Sequence, residues 1–153
     1  MTQPATVRRF EARARSTDTF GRVLCNSREQ HFVVDGPVQN GCPGEAVTPA
    51  ELFLASVASC GVELIEVFAR EEDVELRSIA VEVSGEFDLD DPVRPDVTVF
   101  RTVELRFALD GPPQDRAEPL VERFKGRCPL YGSVAVATPN VSVTVRSITA
   151  ADR

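Results

Sequence analysis

Thr48-Pro49-Ala50-Glu51-Leu52-Phe53-Leu54-Ala55-Ser56-Val57-Ala58-Ser59-Cys60-Gly61-Val62 is the stretch whose reading decides the fold. Its first four residues mark a helix start. Thr48 can cap, Pro49 occupies the first helical position where no N–H is needed, and Glu51 can reach back to the cap. From Leu52 to Val62 every side chain is apolar or small, so the predicted helix has no polar face there. Polarity returns at Glu63 and Glu66, and the helix is expected to end near residues 70–73. A helix that is apolar all round must be buried all round. One sheet covers only one side, so a second subunit is expected against the other. The small residues would let a partner helix approach closely.

Upstream of this helix the pattern changes to short strands and turns. Phe10, Ala12 and Ala14 alternate with charged residues, a second run spans Phe20 to Cys25, and Phe32-Val33-Val34 stops at the turn signal Asp35-Gly36-Pro37. Residues from there to Val47 read as loop. Downstream, Ile79, Val81, Val83 and Phe87 alternate with Ala80, Glu82, Ser84 and Glu86, as in a half-buried strand. Val97, Val99, Val103, Leu105, Phe107 and Leu109 suggest a second strand, joined to the first by the Asp- and Pro-rich loop 88–96. Helical spacing returns over Ala117–Lys125, Cys128-Pro129 opens a short helix to about Ala137, and Val141, Val143 and Val145 form a last strand. The order β-β-(β)-α-β-β-α-α-β predicts a single α+β domain over residues 1–153 with antiparallel sheet.

Composition removes most functional classes. A formal net charge of −7 argues against nucleic acid, which needs Lys and Arg gathered on one face. The stretch Arg9, Arg13 and Arg15 is interrupted by Glu11 and Asp18 and reads as a solvated strand face. No unbroken run of 18 apolar residues occurs, so no membrane span is expected. Residues 1–15 have no apolar signal-peptide core, and a cytoplasmic, reducing location is expected, with the cysteines as thiols. Cys25, Cys42, Cys60 and Cys128 contain no C-x-x-C pair and His31 is the only histidine, so no metal site or cofactor is expected. No G-x-S-x-G, P-loop or H-E-x-x-H occurs. The chemistry left is that of thiols.

Local surroundings favour Cys128 as the more acidic thiol. Before Pro129 it can cap a helix, where free N–H groups stabilise a thiolate, and Arg127 stands beside it. Cys60 lies mid-helix on a face with Phe53, Ser56, Val57, Leu64 and Val67, and Glu63 is its one charged neighbour there. A buried structural cysteine is the plain reading of such a residue. Burial and Glu63 both raise its pKa, so reactivity would require a cation from elsewhere.

The segment from Thr48 to Cys60 resembles the P-x-E-L-x-L-A-A-x-x-x-C helix of the OsmC/Ohr family. Arg127-Cys128-Pro129-Leu130 resembles that family's second motif, and the 68-residue gap, the intervening strand pair and the Asp35-Gly36-Pro37 loop are similar too. The resemblance runs from about Arg8 to Val145. It implies an intertwined homodimer with buried central helices and thiol sites at the subunit interface. It further implies reduction of organic hydroperoxides in defence against oxidative stress. Cys60 would be the peroxidatic thiol, Cys128 the resolving thiol, and an external dithiol such as a lipoylated protein the reductant. Two positions depart from the active branches. Ala50 stands where they carry a Glu after the proline, with Glu51 on the helix face opposite Cys60. Their thiolate-steadying Arg aligns near Thr19, which makes Arg22 the nearest candidate. The chain thus resembles the broader OsmC-like group most. Two other readings remain open: a non-catalytic dimer holding a hydrophobic or electrophilic small molecule around Cys60, and a metal or redox sensor using Cys25 or Cys42.

Overall fold

The helix start works as its residue types dictate. In a computed structural model, which describes residues 6–152, helix α1 runs Pro49–Glu71. Glu51 Oε2 accepts from the Thr48 N–H at 2.7 Å and from its hydroxyl at 2.9 Å, while the Glu51 N–H donates to Thr48 Oγ1 at 3.4 Å. That reciprocal pair satisfies N–H groups that a helix end otherwise leaves unpaired. The chain divides between Leu52 and Phe53 into two units, each with its own sheet.

The N-terminal unit is an antiparallel sheet of β1 (Arg13–Ser16), β2 (Arg22–Ser27) and β3 (Gln30–Asp35), in that order. Strand β1 is shorter than the alternation from Phe10 suggests. Its ladder with β2 ends at the Arg13–Asn26 pair, beside the Arg28-Glu29 turn that closes the β2–β3 hairpin. Beyond it, the Ser27 hydroxyl donates to the Glu11 carbonyl at 2.9 Å, and Phe10 is exposed. Cys42 packs over two glycines: a Cβ would come within 2.3 Å of Cys42 Sγ at Gly21 and within 2.5 Å at Gly36. Gly21 also has φ +75°, a conformation that favours glycine.

The C-terminal unit contains β4 (Ser78–Glu86), β5 (Thr102–Asp110), α2 (Gln114–Arg127), α3 (Pro129–Ala137) and β6 (Asn140–Ile148), with the sheet ordered β4-β5-β6. The β4–β5 pair is antiparallel, as expected. Strand β6 instead lies parallel to β5, which corrects the expectation of a wholly antiparallel sheet. The reason is the connection: two helices carry the chain from the end of β5 back to the level of its start, as parallel pairing requires. Strand β5 also begins later than its apolar residues suggest. Thr102 pairs with Glu86, the last residue of β4, so residues 97–101 have no ladder partner in that strand.

The core of this unit is one cluster. Val103, Leu105, Phe107 and Leu109 project from one face of β5, and Ala117, Leu120, Val121 and Phe124 from one face of α2. Helix α1 adds Val57, Gly61, Ile65, Phe68 and Ala69. The chain's own atoms therefore bury one face of α1, whereas Ala55 and Ser59 are exposed and Phe53 is 43% exposed. By length and composition α1 could cross a membrane, with a mean hydropathy of 1.8 over its most apolar window. Glu63 and Glu66 lie in its second half, and the face bearing Val57, Gly61, Ile65, Phe68 and Ala69 packs into the core.

Candidate functional site

Helix α1 places Cys60 beside the sheet because its next residue has no side chain. At Gly61 a Cβ would lie 3.2 Å from the Phe107 ring, closer than packed atoms normally sit. Cys60 is half-buried at the edge of the core.

Cys128 joins α2 to α3. Its extended backbone (φ −82°, ψ 114°) ends one helix and caps the next, with Pro129 at the first position of α3. Its N–H donates to the Phe124 carbonyl at 2.9 Å, and its carbonyl accepts from the Gly132 N–H at 3.0 Å. Its sulfur accepts the Tyr131 N–H at 3.3 Å. The capping role read from the Cys-Pro dipeptide is thus realised. The Phe124 ring packs against Phe107 and Tyr131, at centroid distances of 5.2 and 5.5 Å, and holds this corner in the core.

The fold brings the two thiols together. Cys60 Sγ and Cys128 Sγ lie 2.9 Å apart in a sulfur–sulfur hydrogen bond, both as free cysteines. At that separation an oxidant that removes two electrons from the pair could join the sulfurs without a long movement. Burial pushes the Cys60 thiol up to about 12, and the Cys128 hydrogen bond, the Cys128 charge and Glu63 push it the same way. Each of these four influences disfavours the Cys60 thiolate.

Arg22 lies in the N-terminal unit and meets carboxylates. Its Nε and Nη2 donate to the two Asp35 oxygens at 2.8 Å each, and Nη2 donates to Glu45 at 2.7 Å. Asp35 is fully buried and also accepts the Glu45 and Ala46 N–H groups at 3.0 Å each. The guanidinium first, and then these N–H groups, hold its carboxyl well below the usual carboxylate range, although burial opposes them. Arg22 is correspondingly raised by Asp35 and Glu45. Sequence reasoning took Asp35 only for a turn signal and missed this clamp. The signal was available: counting back from the Arg28-Glu29 turn pairs Arg22 with Asp35 across the hairpin.

Cys25 sits within β2, opposite Ala14 and Phe32, and Cys42 is half-buried over its glycines. Among the described residues no three His, Cys, Asp or Glu side chains converge to hold a metal ion.

The family model for OsmC-like proteins matches residues 42–144, which include both thiols of the pair. Comparison with the curated proteins finds no match. Among solved structures, the OsmC-like protein of Mycoplasma pneumoniae has a TM-score of 0.80 at 14% identity, over 92% of this chain and 98% of that one. An organic hydroperoxide resistance protein of Elizabethkingia anophelis, crystallised with thiocyanate bound, has a TM-score of 0.76 at 18% identity, over 94% and 99%. The organic hydroperoxide resistance protein OsmC of Legionella pneumophila has a TM-score of 0.74 at 21% identity, over 94% and 100%. At these identities the likeness is one of fold.

Proposed function

This chain belongs to the OsmC-like protein family, and we propose that it reduces organic hydroperoxides with Cys60 and Cys128 as its redox pair. The observation that carries the reading is the 2.9 Å separation of the two sulfurs across a 68-residue gap. Cys60, the more accessible of the two, attacks the terminal peroxide oxygen. The O–O bond breaks, an alcohol leaves and Cys60 becomes a sulfenic acid. Cys128 then attacks the Cys60 sulfur, water is lost and a disulfide forms. An external dithiol, with a lipoylated protein the chosen candidate, returns both thiols. Two relatives in fold bear the name organic hydroperoxide resistance protein, which supports this substrate class.

Arg22 is the third residue proposed for the reaction, as a cation that steadies developing negative charge. Its Asp35 arm is buried, but Glu45 is 75% exposed, so that arm can open and release one edge of the guanidinium. The working unit is proposed to be a cytoplasmic homodimer. The supporting observation is the small-residue face of α1, with Ala55 and Ser59, that the chain's own atoms leave uncovered.

Stopped-flow mixing of the reduced protein with tert-butyl and cumene hydroperoxides tests the reading. Rapid oxidation to a Cys60–Cys128 disulfide is expected. Cys60→Ser should abolish peroxide consumption, and Cys128→Ser should permit one turnover and then accumulate sulfenic or sulfinic acid at Cys60. The upward push on the Cys60 thiol favours a second reading, in which the dimer holds a hydrophobic or electrophilic small molecule without catalysis. Reduced protein inert to both hydroperoxides would overturn the first reading.

A further inference from the structure

We propose that one face of the N-terminal sheet is a docking groove for an acidic, extended segment of a partner protein, gripped by Arg13 and Arg15. The first 31 residues hold six Arg against three acidic residues, in a chain whose formal net charge is −7. The sheet gathers several of these arginines on one side. Arg13 and Arg15 are two apart in β1, so their side chains leave the same face. Opposite residues of an antiparallel pair share a face, which adds Asn26 and His31 beside Arg13, and Leu24 beside Arg15. These five residues line a hollow of about 430 Å³. Arg13 and Asn26 also line a second hollow of about 430 Å³, with Arg9, Glu11 and Arg28. The two hollows adjoin through those shared residues and make one groove along β1. Elsewhere arginines such as Arg77, Arg101 and Arg123 pair with carboxylates. Arg9, Arg13, Arg15 and Arg28 are exposed and, among the described residues, make no ion pair. Four unpaired guanidinium groups in one groove repel each other, so an anion placed there relieves repulsion as well as adding attraction.

Spacing and shape choose the occupant. Alternate residues of an extended chain repeat at roughly 7 Å, so Asp or Glu at every second position of a bound segment falls in step with Arg13 and Arg15. Each guanidinium can take a carboxylate through two parallel N–H bonds. Leu24, half-buried on this face, offers an apolar floor to the methylene groups of a bound Glu. Glu11 stands in the same groove and repels a ligand that is negative along its whole length, as a nucleic acid strand is. A peptide can set a neutral or basic residue there. Phe10 is the one phenyl ring in the groove, so bases would find no row of rings to stack on. A small inorganic anion would fill one hollow and leave the arginines of the other unpaired. Exposed charges of this kind give fast, salt-sensitive association and set which partner is accepted.

The test is fluorescence anisotropy of a labelled, alternating Glu-Ser peptide with the full chain, beside a peptide of the same composition whose glutamates stand in one block. The alternating peptide should bind the more tightly, because more of its carboxylates face the arginines, and its affinity should fall about tenfold between low and high salt. Arg13→Glu combined with Arg15→Glu, at two exposed positions without an ion-pair partner, should abolish binding. Arg94→Glu combined with Arg146→Glu changes the net charge equally at exposed positions of the C-terminal unit, and should retain it. Circular dichroism checks that each variant folds. Backbone amide shifts in the wild-type protein locate the peptide without any variant, and are expected at residues 13–15 and 24–26. Shifts confined to other residues, or unaltered binding by the folded Arg13 and Arg15 variant, overturn the proposal. So does a short oligothymidylate or tripolyphosphate that binds more tightly than the alternating peptide. Self-association that the same variant abolishes, with no peptide bound by the wild type, also overturns it and assigns the groove to a second copy of this chain.

Discussion

Asp35 shows how much one buried side chain can organise. It accepts four hydrogen bonds, two from Arg22 and one each from the Glu45 and Ala46 N–H groups, and so ties β2 to the segment that leads into α1. Its folded pKa lies below the unfolded value of about 3.9, so its stabilisation is complete above that value. It is lost as pH falls from there through the folded pKa. Asp35→Asn should therefore destabilise the protein at neutral pH and flatten the acid limb of its stability profile, read by chemical denaturation across pH. Two glycines offer a second comparison at this scale. Gly21 and Gly41 share φ +75°, but a Cβ meets Cys42 only at Gly21 and finds nothing within 4 Å at Gly41. Gly41→Ala should cost about 1–2 kcal/mol from backbone strain alone. Gly21→Ala should cost clearly more in the same denaturation assay.

Among the elements, α1 is the one most firmly written into its own residues. Its start at Pro49 follows from Thr48, Pro49 and Glu51, and its end at Glu71 falls within the expected range 70–73. Thr48→Ala should lower stability by about 0.5–2 kcal/mol, measured by thermal or urea unfolding, and leave the reaction of Cys60 with hydroperoxide unchanged. Glu51 belongs to this cap: Thr48 N–H and hydroxyl bonds hold its carboxyl below the ordinary value. Strands obeyed local pattern less well. The alternation at Phe10 and at Val97 and Val99 continued past the point where a neighbouring strand was present to pair, and a strand without a ladder does not persist.

For the whole molecule, the uncovered side of α1 carries the prediction. Ala55 and Ser59 line a small-residue face that a second copy would cover. Sedimentation at micromolar concentration should give a dimer, and a monodisperse folded monomer would end that reading. Ser59→Arg, which adds a long charged side chain to this face, should shift the protein toward monomer by at least tenfold in dissociation constant, equivalent to about 1.4 kcal/mol. Cys60 and Cys128 should remain in contact in that variant, since their contact lies within one unit of one chain.

Local signals determined a good part of this protein. The capped apolar helix, the Cys128-Pro129 helix start, the strand that alternates from Ile79 and the last strand from Val141 all follow from interactions between residues close in the chain, and all appear in the structure. Local chemistry placed Cys128 at a helix cap, whereas Cys60 was singled out by the resemblance to the OsmC/Ohr family. The tertiary structure decided what depends on distant partners. It made β6 parallel to β5, because that direction is set by how α2 and α3 return the chain rather than by the residues of β6. It gave Arg22 its partners Asp35 and Glu45. It also set the 2.9 Å contact between sulfurs 68 residues apart, and with it the ionisation of Cys60. A residue carries its own charge and shape along the chain, but its pKa and its partners belong to whatever the fold packs against it.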